Sequence, residues 1–508
     1  MTMPAEIFSI TYRPLLAVLA PAIGACLILA SSRHPNVRET WTMLASILCF
    51  SSVFSMVPTI LGGIPIDCTL FHIFAGIDFA YRVDAFGLIF AVTSSSLWII
   101  VSLYSIGYMR ALNEHAQTRY YLCFALAIFG AIGTALAGNL ATMFIHYEIL
   151  TVSTYPLVAH DESPEALFAG RKYLAYLLTA GGFLFGAIVI TYWLTGTTDF
   201  EPNGILTLAS ASAIALKILF FFFLLGFMKA AWMPFHSWLP TAMIAPTPVS
   251  GLLHAVAVVK AGVFGIIRTV CYVYGIDLMH ALGLGLVLAC IASFTMIVAN
   301  LFAIGEDNLK RRLAYSTINQ LSFIILGVAL LSPMAVTGAM IHIPFHGFMK
   351  ITLFLCAGAI AVATGKRNVS ELAGIGRIMP VTMMAFTLTA FGMCGIPPIA
   401  GFISKWYICL GSIQAGEIAF LFIAITASLL DVVYFFPIIR TAFFESPVET
   451  NGGEREVSRK ETEHPIYRFM IIPLAITAIF SIIFCLFPNT LHIFDLAQMA
   501  VKELFGGA

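Results

Sequence analysis

The chain is 508 residues long; 60% of them are hydrophobic, 10% are charged, and 26 Lys+Arg balance 26 Asp+Glu to a formal net charge of zero. A soluble domain carries about a quarter charged residues, so this chain cannot cover a water-facing surface and is expected to be an integral membrane protein. The charge balance excludes a polybasic nucleic-acid binder, and no stretch is polar enough to form a soluble catalytic domain.

A helix crosses the hydrocarbon core with about 20 apolar residues. Apolar runs between polar or Gly/Pro breaks give about 14 candidate spans, near 14–32, 41–60, 84–107, 120–138, 140–158, 171–194, 207–239, 249–272, 280–304, 313–331, 334–363, 379–411, 417–443 and 467–488. Arg13 precedes the first run as in a signal peptide, but the thirteen spans behind it favour a retained helix. Residues 61–83 alternate in short runs that predict an external hairpin. Residues 445–466 predict a polar linker. Nine of the ten cysteines fall inside apolar runs and read as small buried hydrophobes, with Cys68 alone expected to be exposed. No CxxC or paired Cys/His spacing is present, so neither a metal site nor any cofactor is expected.

Seventeen basic residues fall on alternate loops, among them Arg110, Arg119, Lys310, Arg312, Arg455, Arg459 and Lys460. Only Arg13, Arg82, Arg268 and Lys502 fall on the other face. Excess Lys and Arg mark the cytoplasmic side, so both termini are expected outside. Five lysines are left within spans: Lys217, Lys229, Lys260, Lys350 and Lys405. A lysine at the centre of a membrane helix costs roughly 2.5–3.5 kcal/mol on insertion scales. Lys217 can snorkel from its helix end; the other four sit deeper and call for a function. With them lie the carboxylates Glu148 and Asp431 and the histidines His146, His236, His254, His342 and His346. Buried carboxylates, lysines and histidines together make up the inventory of a proton relay. A lysine whose acidic partner can move away is a proton switch, because burial disfavours its charge and the carboxylate restores it.

Spacing sharpens this reading. In IHIPFHGFMK, His342, His346 and Lys350 recur every four residues and share one helix face. The seventh span, LLGFMKAAWMPFHSWLP, puts Lys229 five residues before Pro234; the twelfth, FGMCGIPPIAGFISKW, puts Pro397 and Pro398 shortly before Lys405. Proline removes a helix bond, and unwound backbone at membrane depth is tolerated only within protein or beside water. Two interrupted spans five apart, each with a central lysine, predict an inverted-repeat transporter.

Four ordered stretches carry a family resemblance: KAAWMPFHSWLPTAMIAPTPVSGLLHAVAVVKAG, DNLKRRLAYSTINQLSFIILG, HGFMKITLFLCAGAI and GIPPIAGFISKW. They resemble the antiporter-like membrane subunits shared by Mrp-type cation/proton antiporters, respiratory complex I and membrane-bound hydrogenases. The resemblance implies an all-α polytopic membrane protein of about 14 transmembrane helices, with two inverted five-helix repeats and broken helices 7 and 12. Its parts would be 1–119, N-terminal helices 1–3 with the hairpin; 120–279, the first repeat (helices 4–8); 280–444, the second (helices 9–13); and 445–508, the linker and helix 14.

By the same resemblance Glu148 pairs with Lys229. Lys260, His254, His346, Lys350 and Lys405 extend a hydrated proton path from them, with His236, His342 and Asp431 as further candidates. Related chains more often carry a neutral residue such as Asn in place of Asp431. Lysine rather than glutamate in helix 12, and the ending VVYFFPIIRTAFF of span 13, look most like the D-type member among the Mrp antiporter subunits.

The implied function is a proton-translocating subunit of a multisubunit monovalent cation (Na+)/H+ antiporter in the cell membrane. Its partners would be other membrane subunits, H+, Na+ and the lipid bilayer, with no nucleic acid. The alternative is a proton-pumping membrane subunit of a complex I-like NADH:quinone oxidoreductase, membrane-bound hydrogenase or formate hydrogenlyase. The third reading is a non-transporting scaffold or standalone carrier. No redox chemistry is expected in this chain itself, which has no nucleotide fingerprint, cluster ligands or haem motif.

Overall fold

The computed structural model describes residues 12–446 and 465–506. Most of the predicted linker, with Arg455, Arg459 and Lys460, lies outside the described residues. Among the described residues ten helices are long and apolar enough to cross a membrane: Arg13–Ala30, Pro35–Leu61, Ala85–Ala111, Gln117–Leu136, Pro164–Thr195, Thr247–Tyr274, Leu284–Gly305, Pro333–Thr364, Ile418–Phe444 and Tyr467–Leu486. These fall on ten of the expected spans, and the chain is a multi-pass membrane protein. The other four expected spans depart from that pattern for physical reasons. Leu140–Val158, the fifth, carries His146 and Glu148; Leu309–Ala329, the tenth, carries three basic residues in its first turn and then Asn319 and Gln320. The seventh and twelfth are broken.

The seventh runs helical over Ala213–Gly226, makes one tight turn at Met228–Ala230, and resumes only at Trp238–Thr241. The twelfth consists of Pro380–Cys394 and Gly401–Gln414, separated by the Gly395–Ala400 stretch. Lys217 is exposed one turn inside the start of the seventh span.

The predicted hairpin is present. Strand β1 (Ile66–Phe74) pairs antiparallel with β2 (Ile77–Val83), from Ile66 opposite Val83 to Phe74 opposite Ile77. Gly76 turns the chain at φ +78°, a left-handed conformation that glycine adopts without strain. The hairpin caps the start of the fifth span. Asn139 donates to Asp78 O at 2.7 Å, and Tyr81 Oη meets His146 Nε2 at 2.9 Å. Cys68 is therefore 2% exposed, against expectation: β1 turns it inward beside Ile66, and the exposed cysteines are Cys26 and Cys290 on the exposed faces of two helices.

The eighth span, Thr247–Tyr274, is the most enclosed, with its apolar window wholly buried. This corrects the placement of Arg268, which is not a loop residue. Its side chain is 1% exposed, ion-paired with Asp84 and surrounded by Phe86, Phe200, Phe264 and Tyr272, the last ring centroid at 4.6 Å. Asp84 also accepts from Gly87 N at 2.7 Å as the N-cap of the third span. One pair of charges thus fixes the adjoining ends of two central helices to each other.

The C-terminal segment holds an element beyond helix 14. Ile493–Leu504 is a short amphipathic helix whose Ile493, Leu496, Ala497, Ala500, Val501 and Leu504 recur at helical spacing and bury one stripe. It packs on the third and eleventh spans.

Candidate functional site

The two helix breaks expose backbone carbonyls that lipid could not satisfy, so side chains must. At the first break Trp232 Nε1 donates to Leu224 O at 3.1 Å, Trp238 Nε1 to Met228 O at 3.2 Å, and Tyr147 Oη to Gly226 O at 3.2 Å. At the second, Lys405 Nζ donates to Met393 O at 2.7 Å and Gln320 Nε2 to the same oxygen at 3.3 Å. The carbonyl end of a helix carries partial negative charge, which favours an ammonium group there.

Lys229 lies in the single turn at the first break and is fully buried. Its Nζ donates to Tyr147 O at 2.5 Å and stands 3.2 Å from the Tyr147 ring centroid. It does not reach the neighbouring carboxylate of Glu148. That group is half-buried on the same helix, lies against the backbone of Gly181, and leaves Oε1 without a hydrogen-bond partner. The Glu148–Lys229 pair is parted in this structure. The eighth span closes on the break through Gly262, where an added Cβ would sit 2.3 Å from Ala230 N and 2.6 Å from Lys229 C. Gly262→Ala must push the two backbones apart. We expect it to lower stability by about 1–3 kcal/mol, read as a thermal shift of the detergent-purified protein. An unchanged melting temperature would contradict the close approach.

Lys260 lies two residues before Gly262, and its Nζ meets His346 Nδ1 at 2.6 Å. This contact joins the eighth span to the eleventh. His342 stacks on His346 with ring centroids 5.8 Å apart, and its Nδ1 lies 2.7 Å from Ser404 Oγ, next to Lys405. Lys350, one turn beyond His346 on the same face, donates to Ser316 Oγ at 2.8 Å. His254 is fully buried but stands to one side: neither ring nitrogen has a hydrogen-bond partner, and its ring packs on Phe354 at 4.7 Å. His236 is half-buried beside Phe302 and Tyr315, away from this line.

Asp431 is the densest node. Its Oδ2 accepts from Lys405 Nζ at 2.8 Å and Gln320 Nε2 at 2.9 Å; its Oδ1 accepts from Asn319 Nδ2 and Tyr434 Oη, both at 2.6 Å. Lys405 also donates to Ser428 Oγ at 3.1 Å and stands over the Phe323 ring. Tyr434 Oη, the donor to Asp431, also donates to Ser316 Oγ at 2.8 Å, the hydroxyl that accepts from Lys350. Lys350, Ser316, Tyr434, Asp431 and Lys405 then form one continuous hydrogen-bonded chain.

Ser316, Asn319, Gln320, Tyr434 and Tyr147 were not among the residues expected from sequence. Ser316, Asn319 and Gln320 fall at i, i+3 and i+4 of STINQ, a polar face within a membrane helix, and Tyr434 lies three residues past Asp431. Those spacings were the available signal. Tyr147 contributes chiefly its carbonyl, for which a sequence offers none.

The site sits inside the segment that matches a known family model. Residues 137–431 match the model described as NADH:quinone oxidoreductase/Mrp antiporter, TM. NADH-quinone oxidoreductase subunit N of Desulforudis audaxviator (strain MP104C) is 31% identical over 420 residues, covering 81% of this chain and 82% of that protein. Na(+)/H(+) antiporter subunit A1 of Staphylococcus aureus is 29% identical over 94% of this chain, which spans 61% of the relative's length. In fold the chain resembles a subunit in the structure of the Mrp complex from Dietzia sp. DQ12-45-1b, with TM-score 0.85, 21% identity and 97% of each chain covered. It also resembles one in the membrane-bound sulfane sulfur reductase, an archaeal respiratory membrane complex, with TM-score 0.84 and 22% identity over 97% of each chain. The matched segment holds both broken spans with Lys229, Lys260, Lys350, Lys405, Glu148 and Asp431, and the chain belongs to the NADH:quinone oxidoreductase/Mrp antiporter transmembrane family.

Proposed function

We propose that this chain is a proton-translocating subunit of a multisubunit monovalent cation/H+ antiporter, exchanging Na+ or a similar ion. One observation carries the reading: two lysine–carboxylate pairs are held in opposite states within one molecule. Glu148 and Lys229 are parted, while Lys405 and Asp431 are closed at 2.8 Å. Between them lies the contact of Lys260 with His346, so opening one pair can release a proton toward the other. Repulsion between adjacent ammonium groups would keep neighbouring sites from being charged together. Water would bridge the turn between His346 and Lys350.

A cleft of about 990 Å³ opens on the face carrying the basic loops, lined by Lys172, Ser237, Thr241, Asp161, Glu114 and Lys310. Ser237 and Thr241 belong to the return arm of the broken seventh span, which makes this cleft the entry for water and protons from the cytoplasmic side. The relatives' names and the respiratory complex among the fold neighbours support membrane partners, and also a second reading as the pumping subunit of a redox assembly.

Lys229→Ala, assayed in vesicles containing the intact assembly, is expected to reduce cation-driven proton movement at least about tenfold, since one positioned proton-transfer group contributes 10²–10⁴-fold. Undiminished exchange would remove Lys229 from the path. Proton movement driven by an electron donor rather than by a cation gradient would favour the second reading.

A further inference from the structure

A cluster of metal-ligating side chains lies outside the buried line, where two loops meet on the face of the basic residues. Glu114 and His115 occupy the loop between the third and fourth spans, and His160 occupies the turn after the fifth. His115 Nδ1 lies 3.7 Å and His160 Nε2 3.8 Å from Glu114 Oε2, and the three donor atoms all fall within 4.8 Å of one another. The rings of His115 and His160 face each other at 4.7 Å.

His160 is the telling member. Its side chain is completely buried, yet neither ring nitrogen has a hydrogen-bond partner. A buried imidazole normally satisfies both nitrogens, so a ring with neither partnered and with Nε2 aimed at a carboxylate needs an explanation. Its backbone is fixed, because Arg119 Nη2 donates to His160 O at 3.0 Å while Nη1 of that guanidinium pairs with Glu162. Glu114 is held in turn by its own N–H donating to Met109 O at 3.0 Å and by Gln117 Nε2 donating to Glu114 O at 3.1 Å.

We propose that Glu114, His115 and His160 bind a divalent transition-metal ion, with Zn2+ the best match. Two imidazoles and one carboxylate are a zinc donor set that leaves a fourth position for water. Ligand atoms about 2.0–2.1 Å from a tetrahedral zinc stand about 3.4 Å apart, so the two imidazole–carboxylate distances of 3.7 and 3.8 Å need to close by a few tenths of an ångström, and the imidazole–imidazole separation, within 4.8 Å, by about 1.4 Å at most, which a turn of the exposed His115 side chain supplies. Sequence spacing does not reveal the site, because His160 is 45 residues beyond His115. The metal would tie the loop of the third and fourth spans to the end of the helix that carries Glu148. It would also stand at the rim of the cleft, which Glu114 lines.

The test is a difference measurement on the intact assembly, stripped with EDTA, reloaded with zinc chloride and desalted. Elemental analysis is expected to show one more zinc per chain in the natural protein than in His115→Ala, a substitution at a half-exposed loop position that leaves the fold in place. Chelator competition should show the His160→Gln site weakened at least about tenfold, the lower end of what even an outer-sphere partner contributes. Cobalt(II) loading should give a visible d–d band that His115→Ala lacks. Equal zinc in the natural protein and His115→Ala, or no retained zinc in either, would overturn the assignment.

Discussion

Asp431→Asn is expected to abolish proton movement and to lower stability by about 3–5 kcal/mol, the usual effect of removing one partner of a buried ion pair. The size follows from what the carboxylate does. It is fully buried and is the anion facing Lys405, and two amides and a phenol donate to it as well. Asparagine keeps the shape but presents an amide NH2 to at least one of these donors. Lys405 is left as a buried ammonium without its counter-ion, solvated by neutral acceptors such as Met393 O and Ser428 Oγ. The double variant Asp431→Asn with Lys405→Gln removes the stranded charge and should recover part of the stability, since contacting residues are not additive. It should recover no transport. Melting temperature and vesicle transport measured on the same three variants separate the two roles. Full transport in the stable double variant would reduce the pair to a packing element.

The residues legible from sequence are those whose presence in a membrane is expensive. Lys229, Lys260, Lys350 and Lys405 stood out because each carries an insertion penalty, and all four prove buried. The breaks near Pro234 and Pro397 were legible because proline disrupts a helix wherever it packs, and the hairpin at 61–83 because alternation with period two is a local signal. Partner choice was not legible. Lys405 pairs with a carboxylate 26 residues away, and Asn319 donates to it across 112 positions. No spacing rule reaches that far.

Arg268 was misplaced for a related reason. An arginine near a helix end usually reaches water, and only the arrival of Asp84 from the third span, with four aromatic rings, turns it inward. His254 shows the converse. It lies on the matched segment and is buried, but the structure gives Lys260 to His346 instead.

That last contact makes the sharpest separation between neighbouring histidines. His346→Ala is expected to slow transport by about 10²–10⁴-fold, the usual contribution of a positioned acid–base group, because His346 is the direct partner of Lys260 at 2.6 Å. His342→Ala should slow it much less. His342 meets Ser404 and stacks on His346, but the chain from Lys350 through Ser316 and Tyr434 reaches Asp431 without it. Both histidines are equally buried, so a loss that merely reflected a cavity in the eleventh span would appear in both variants, with similar falls in melting temperature. Transport that divides the two while stability does not would place the proton on His346. Equal transport defects would instead mean that the route runs through the stacked pair to Ser404, leaving the hydroxyl chain as scaffold.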